Sequence, residues 1–295
     1  MYDTIMNALM AGAVGGMTKE AYALSLKPAA AALWGAYQQG NSIAKSANYS
    51  DQDVNAAYML RYFPYYTHIV DFILREHPKA APQWREPTDV ALFGAGPAPE
   101  IVSIARYFKA VDEPTLLANV HAFDINTCWD FYQENVSRKL VSNLRSIETL
   151  NFIRKTFDLR KASAVTGQVR SVVSNCELIV SQNCINEVDW EDRDVVVQNF
   201  AKIFTAMKPQ ATLIIACRGL KYDTANYILA GAVAAIGKYC AQIIHASGAL
   251  ACGVIDQHLP DYILNKLLFR APPLVSGLTL ARNFEFIYVI AKKSK

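Results

Sequence analysis

The sequence predicts an α/β protein with a doubly wound, mostly parallel sheet that follows a helical N-terminal segment. Hydrophobic residues make up 52% of the 295 residues and charged residues 19%, so the chain has ample apolar material for a core. From residue 89 onward, short apolar runs alternate with longer segments of helical period, which is the pattern of a parallel sheet. The first of these runs ends in a glycine turn.

The first 80 residues have helical patterning. One apolar face with the spacing i, i+3, i+4, i+7, i+8 is formed by Tyr66, Ile69, Val70, Ile73 and Leu74. The stretch 77–88 carries three prolines and few apolar residues, which is typical of a linker. We therefore expect a helical cap or substrate-binding segment over residues 1–80 and an α/β domain over 85–295.

Six short apolar runs are the predicted strands: Val90–Phe93, Val120–Phe123, Asn151–Phe157, Leu178–Ser181, Thr212–Ala216 and Phe286–Ala291. Between the last two we expect a helical insertion at about residues 218–275. Its apolar part, Tyr227–Ile255, is rich in Gly and Ala and is interrupted by Lys238, Gln242 and His245. This composition favours a buried helix pair over a membrane span.

Charge and cysteine content narrow the choice of partner and compartment. A net charge of +3 provides no global reason to expect nucleic acid or an anionic membrane. The six cysteines contain no C-x-x-C pair, so we expect free thiols in a reducing cytoplasm and no metal site. No Lys or Arg precedes the apolar stretch Ala8–Val14, so we expect no secretory signal.

The strongest functional feature is the turn Gly94-Ala95-Gly96-Pro97-Ala98-Pro99-Glu100 between the first strand and its helix. Glycines permit a tight turn and close approach of a ligand, and the helix that follows offers unpaired N–H groups. The second strand ends in Asp124, whose carboxylate can accept both hydroxyl protons of a ribose; the alternative is a cap on the next helix. Because Pro99 replaces the third small residue of the dinucleotide fingerprint and no G-K-[ST] follows, NAD and ATP are disfavoured.

From about residue 85 to 291 the chain resembles the class I S-adenosylmethionine-dependent methyltransferase superfamily. The likeness rests on five segments in order, DVALFGAGPAPEI, VHAFDIN, TFDLR, CELIVSQNCINEV and AMKPQATLIIACR. It implies a Rossmann-like, seven-stranded sheet and S-adenosyl-L-methionine as the cofactor. The activity implied is methyl transfer to a small molecule or a protein side chain.

The resemblance also implies roles for individual residues. Gly94, Ala95 and Gly96 would flank the methionine part of the cofactor, and Asp124 would hold the ribose. Ile125 would pack on the adenine, and Asp158 would lie near its amino group. Gln182 and Asn183 would sit under the reacting sulfonium.

One position departs from the family pattern. Leu92 stands two residues before the first glycine, where the family often has an acidic residue, and Glu100 or a water would have to substitute. This keeps open the alternative of a non-catalytic, methyltransferase-like assembly or interaction protein.

The catalytic group and the acceptor are not evident from the sequence. Methyl transfer depends mainly on alignment and exclusion of water, and Ser181-Gln182-Asn183-Cys184 matches no base-methylation motif. His245 and His258 are weak catalytic candidates, since a lone histidine is more often structural. The aromatic cluster Tyr58, Tyr62, Phe63, Tyr65 and Tyr66 is either core or a lid over the cofactor.

A basic stretch lies at residues 138–170. Its eight basic side chains are Arg138, Lys139, Arg145, Arg154, Lys155, Arg160, Lys161 and Arg170, against Glu148 and Asp158. An RNA methyltransferase would use such a stretch to bind its substrate, but we favour a solvated face because aromatic residues are not interleaved with the charges.

Overall fold

The computed structural model describes residues 1–11, 16–38, 47–218, 223–251, 259–267 and 283–295. Within these ranges the N-terminal segment contains six helices: α1 Tyr2–Ala11, α2 Lys19–Ser25, α3 Lys27–Gln38, α4 Gln52–Arg61, α5 Phe63–Tyr66 and α6 Ile69–Glu76. Pro64 lies in the first turn of α5, where a missing amide costs no hydrogen bond. The predicted helical character of this segment is therefore seen in the structure.

The remaining described residues alternate between strands and helices. The strands are β1 Thr88–Phe93, β2 Thr115–Asp124, β3 Ile147–Thr156, β4 Leu178–Gln182, β5 Thr212–Arg218, β6 Cys240–Ala251 and β7 Asn283–Lys293. The helices are α7 Pro99–Val111, α8 Asp130–Tyr132, α9 Arg138–Leu144, α10 Gly167–Val173, α11 Arg193–Ala206 and α12 Asp223–Ile236. A π-helical turn, Gln133–Ser137, joins α8 to α9.

The seven strands form one sheet in the order β3-β2-β1-β4-β5-β7-β6. The pairs from β3 through β5 are parallel, and β7 is antiparallel to both β5 and β6. All residues of β4 are buried, as expected for a central strand covered on both faces. The predicted doubly wound, mostly parallel sheet is confirmed. Its order reverses between β1 and β4, and such a switch point opens a crevice at the carboxyl ends of the strands.

The expected helix pair over Tyr227–Ile255 is only half right. Residues 223–236 form α12, but Cys240–Ala251 form the edge strand β6, while residues 252–255 lie outside the described part of the chain. Backbone hydrogen bonds to β7 along the length of β6 outweigh the helical preference of its alanines. At Gly248 an added Cβ would lie 2.5 Å from the Phe286 ring, so the small residue lets the two strands approach. Within the described ranges, no helix has both the length and the apolar character that crossing a membrane requires.

The N-terminal helices pack against the sheet domain through specific contacts. The Asp71 amide donates to Ser103 Oγ on α7 at 2.7 Å, and Tyr65 stacks on Phe284 of β7 with ring centroids 5.7 Å apart. Thr212 Oγ1 on β5 donates to the Ala80 carbonyl at 2.7 Å. Both parts therefore share one core, with contacts at the carboxyl end of the parallel strands through Tyr65 and at their amino end through Ala80.

A partly buried histidine at the start of α6 makes stability depend on pH. Burial, with the positive charges of Arg106 and Arg75, lowers the pKa of His68 to about 3. Between pH 6.5 and 3 the unfolded chain therefore binds a proton that the folded chain rejects, so stability falls as the pH falls. We expect His68→Gln to reduce the slope of unfolding free energy against pH between 6.5 and 5, by up to about 1.4 kcal/mol per pH unit.

Urea unfolding at a series of pH values measures this slope. His245→Gln is the matched control because His245 is exposed on β6. An equal loss of slope in both variants would contradict the assignment to His68.

Candidate functional site

A cleft of about 300 Å³ lies at the carboxyl ends of four of the five parallel strands, β3, β2, β1 and β4, where the sheet order reverses. Four strand ends supply its floor: Gly94, Gly96 and Pro97 after β1; Asp124, Ile125 and Asn126 at β2; residues 157–160 after β3; and Gln182, Asn183, Cys184, Glu187 and Val188 after β4. Residues 47–50 and Tyr58 of the N-terminal segment close one side. Seven of the nine predicted cofactor-binding residues therefore line one cleft.

The turn after β1 requires its glycines for two different reasons. Gly94 and Gly96 have φ values of +68° and +50°, a region that other residues enter only with strain. Gly94 also lacks space, because an added Cβ would lie 2.5 Å from both Cβ and Sγ of Cys184. At Gly96 the nearest atom is Trp129 Cε2 at 4.0 Å. Gly94 is thus required by both packing and backbone conformation, and Gly96 by backbone conformation alone.

Asp124 joins the glycine turn to the end of β2. Its Oδ2 accepts a hydrogen bond from the Gly96 amide at 2.7 Å, and its Oδ1 accepts one from the Asn126 amide at 2.8 Å. Burial raises the pKa of Asp124, and these hydrogen bonds oppose that shift. A carboxylate has about four acceptor positions, so capacity remains for two further donors from a ligand. Asp124 thus both stabilises the following turn and faces the cleft.

The ends of β3 and β4 differ in how far their polar groups are satisfied. Asp158 accepts hydrogen bonds from Arg160 Nε at 2.9 Å and Nη2 at 3.1 Å. Burial acts to raise the pKa of Asp158, but the interactions with Arg160 outweigh burial and the pKa is lowered. Gln182 Nε2 donates to the Tyr66 carbonyl, whereas Gln182 Oε1 and Asn183 Nδ2 are buried with no hydrogen-bond partner among the described residues. Both residues line the cleft, but these two atoms are themselves shielded from solvent, as is the unpartnered Trp84 Nε1 elsewhere in the described fold.

Two predicted cofactor residues lie behind the turn rather than in the cleft. Ala95 is 1% exposed and Glu100 is 2% exposed in the first turn of α7. Burial, opposed by a hydrogen bond from its own backbone amide, raises the pKa of Glu100 well above its ordinary value. Leu92 is fully buried in β1. Glu100 therefore does not present a carboxylate at the cleft surface.

Of the two histidine candidates, His245 is not brought to the cleft. His245 is exposed on β6, the edge strand, four positions along the sheet from β1. His258 lies outside the described residues. The geometry gives His245 no contact with the glycine turn or with Asp124.

Aromatic side chains form one wall of the cleft. Tyr49, Tyr58 and Trp129 line it, and the Trp129 ring lies 5.3 Å from that of Tyr58 and 5.5 Å from that of Tyr49. Of the five clustered aromatics that the sequence suggested as core or lid, Tyr58 alone lines the cleft, and the other four are buried core residues. The sequence patterns did not identify Tyr49 and Trp129 as residues of the site. The only local signal was that Trp129 follows Asp124 by five residues.

Glu187 also lines the cleft. Its role was not evident from the sequence, although it lies in the segment CELIVSQNCINEV that resembles the methyltransferase superfamily. It sits in a 3₁₀ turn, Ile185–Glu187, after β4, and Tyr49 Oη donates to its Oε1 at 2.7 Å. Burial raises the pKa of Glu187 to about 7; the hydrogen bond from Tyr49 opposes this shift and the charge of Asp124 adds to it. A carboxyl group of this kind changes its charge near neutral pH.

Several charges of the basic stretch are paired within the fold. Arg138 Nε lies 2.6 Å from Glu134 Oε2, and Arg154 contacts both Glu134 and Asp130. Arg160 is held by Asp158. Three arginines of the stretch therefore pair with carboxylates, which favours the interpretation as a solvated, internally paired face.

Comparisons with known proteins show likeness at the level of structure. No family model matches the chain, and no curated protein matches it. Among solved structures, an O-methyltransferase family protein from Burkholderia thailandensis is 12% identical, with a TM-score of 0.44, over 82% of this chain and 59% of that one. The CurJ carbon methyltransferase is 11% identical, with a TM-score of 0.45, over 92% and 69%.

A methyltransferase from Pyrococcus furiosus is 11% identical, with a TM-score of 0.40, over 76% of this chain and 83% of that one. The chain spans 59% of the length of the Burkholderia protein. At this identity the likeness is one of fold only, and the strand order establishes the fold independently.

Proposed function

We propose that this protein binds S-adenosylmethionine in the cleft and transfers its methyl group to a small molecule or a protein side chain. The observation that carries the proposal is the arrangement at the switch point of the sheet. There a tight glycine turn, the acceptor capacity of Asp124 and the side chains of Gln182 and Asn183 line one cleft.

The side chains that line the cleft fit the cofactor. Asp124 would accept hydrogen bonds from the ribose hydroxyls, and Ile125, which is 48% exposed, offers an apolar surface for the adenine. The side chains of Gln182 and Asn183, which line the cleft, would contact the polar amino-acid end. Asp158 has less capacity for the adenine amino group because Arg160 already occupies both of its oxygens.

Bound S-adenosylmethionine supplies an electrophilic methyl group on a positively charged sulfur. The task of the protein is then to align the nucleophile and exclude water. The wall of Tyr49, Tyr58 and Trp129 is mostly buried and closes the cleft beside the glycine turn, so it is suited to the second task.

Isothermal titration calorimetry with S-adenosylmethionine and S-adenosylhomocysteine tests the proposal. We expect both to bind with dissociation constants below about 1 mM, the upper end of ordinary substrate affinities. Absence of binding by both ligands would overturn the proposed function. Binding without release of S-adenosylhomocysteine in the presence of any cell-extract fraction would favour a non-catalytic binding protein instead.

A further inference from the structure

The charged side chains that line the cleft are mostly acidic. Asp124, Asp158 and Glu187 face it, and Arg160 is the basic residue among the described lining residues. Arg160 is engaged by Asp158 through two hydrogen bonds. Within the described part of the chain neither Asp124 nor Glu187 forms an ion pair with a lysine or arginine. The cleft therefore offers a positively charged ligand two carboxyl groups that no salt bridge neutralises.

Of these carboxyl groups, Glu187 is the one whose protonation a bound ligand would change near neutral pH. Around it lie Tyr49 from the N-terminal segment, Tyr58 from α4, Cys184 from its own turn, Asp124 from β2 and Arg160 from beyond β3. Tyr49 donates to Oε1, and the described residues provide no hydrogen bond to Oε2. Burial against these groups raises the pKa of Glu187 to about 7. Near neutral pH, a nearby positive charge would therefore draw a proton off this carboxyl group.

We propose that Glu187 is the residue by which the cleft distinguishes the positively charged sulfonium of S-adenosylmethionine from the neutral thioether of S-adenosylhomocysteine. This inference rests on the proposed function. The two ligands share the adenosine and the amino-acid end, so their contacts with the rest of the cleft largely cancel in a comparison. What differs is one methyl group and one positive charge.

Glu187 lines the cleft from the same turn after β4 as Gln182 and Asn183, the residues expected under the sulfonium. Charges are screened over ~8 Å at physiological ionic strength, and less in a partly buried site. A sulfonium bound over this turn would therefore interact with the Glu187 carboxylate. Linkage is reciprocal: a ligand that lowers the pKa of Glu187 binds more tightly when Glu187 is ionised.

This coupling has a definite sign and size. Below pH 7 the protonated carboxyl would favour neither ligand by charge, and above pH 7 the carboxylate would favour the sulfonium. If the bound sulfonium lowers the pKa of Glu187 by one unit, the affinity ratio rises by about tenfold across the transition. A pocket with this property holds the donor and releases the product.

The test is the ratio of the dissociation constants of S-adenosylhomocysteine and S-adenosylmethionine, measured by calorimetry from pH 5.5 to 8.5. We expect the ratio in the unmodified protein to rise about tenfold, with a midpoint about half a unit below the pKa of Glu187 in the free protein, which is about 7. Sinefungin carries an ammonium where the cofactor has its sulfonium. It should follow S-adenosylmethionine if positive charge is what is recognised, whereas neutral behaviour of sinefungin would overturn the role of charge.

Three variants separate the role of Glu187 from a merely structural one. In Glu187→Gln the ratio should stay at the low-pH value of the unmodified protein at every pH. In Tyr49→Phe, which removes the donor to Oε1, the midpoint should move to higher pH. In Asp130→Asn, the control at an exposed carboxylate that does not line the cleft, the rise should persist.

The outcomes distinguish the two proposals. If neither ligand binds, the proposed function fails and the role of Glu187 fails with it. If both bind and the ratio is independent of pH in the unmodified protein, the role of Glu187 alone is overturned. The same holds if Glu187→Gln, with its fold verified by circular dichroism, retains the rise. The pH dependence of the ratio in the unmodified protein tests the role of Glu187 even if a variant fails to fold.

Discussion

Gly94→Ala is expected to lower the free energy of unfolding by about 3 kcal/mol and to abolish cofactor binding. Two costs combine: a left-handed backbone costs a non-glycine residue roughly 1–2 kcal/mol, and overpacking a buried site costs about 1–3 kcal/mol. The new Cβ would lie 2.5 Å from Cys184 Cβ and Sγ, so the turn after β1 and the turn after β4 must move apart. Both turns line the cleft, and the same movement would distort the site. Urea unfolding and calorimetry with S-adenosylmethionine measure the two effects.

Gly96→Ala is the matched control for this substitution. Its backbone is equally left-handed, but the nearest atom to an added Cβ is 4.0 Å away. We therefore expect only the backbone cost of roughly 1–2 kcal/mol. Equal destabilisation by the two substitutions would show that the contact with Cys184 does not constrain Gly94. Cys184→Gly in the Gly94→Ala background should recover part of the loss.

Asp124→Ala is expected to weaken the binding of S-adenosylmethionine and S-adenosylhomocysteine by at least about 100-fold. Hydrogen bonds to a charged group contribute about 1.5–3 kcal/mol each, and the proposal assigns two such bonds from the ribose to this carboxylate. The substitution also leaves the Gly96 amide without its acceptor, which loosens the turn. Asp124→Asn keeps one oxygen acceptor, so its affinity for both ligands should lie between those of the unmodified protein and of Asp124→Ala. Calorimetry with both ligands measures the loss.

Asp130→Ala provides the comparison. Asp130 follows on the next turn, and its side chain is 49% exposed and pairs only loosely with Arg154 at 3.5 Å. Affinity in this variant should stay within about twofold of the unmodified protein, as for most exposed positions. If Asp124→Ala also stayed within twofold, the ribose would not be held by Asp124.

Much of the fold could be predicted because its signals are local in the chain. The apolar runs of β1, β4 and β5 are nearly continuous, since both faces of these strands are buried, and helical period separates them. The edge strand β6 escaped prediction. Its residues alternate between exposed and partly buried, and its Gly- and Ala-rich composition has no strand preference of its own. It becomes a strand because its backbone hydrogen-bonds to β7 along its length and Phe286 fills the space above Gly248.

In the candidate site, too, local features could be predicted from the sequence and long-range contacts could not. The sequence by itself determined the order of the strand ends, and with it the placing of Gly94, Gly96, Asp124 and Gln182 at one edge of the sheet. That inference needs only the rule that parallel strands end on the same side. The contact between Cys184 and Gly94, and the hydrogen bond from Tyr49 to Glu187 across 138 positions of the chain, could be decided only by the tertiary structure. Such contacts depend on how the N-terminal helices and the turn after β4 pack against each other, and no local pattern of residues encodes that distance.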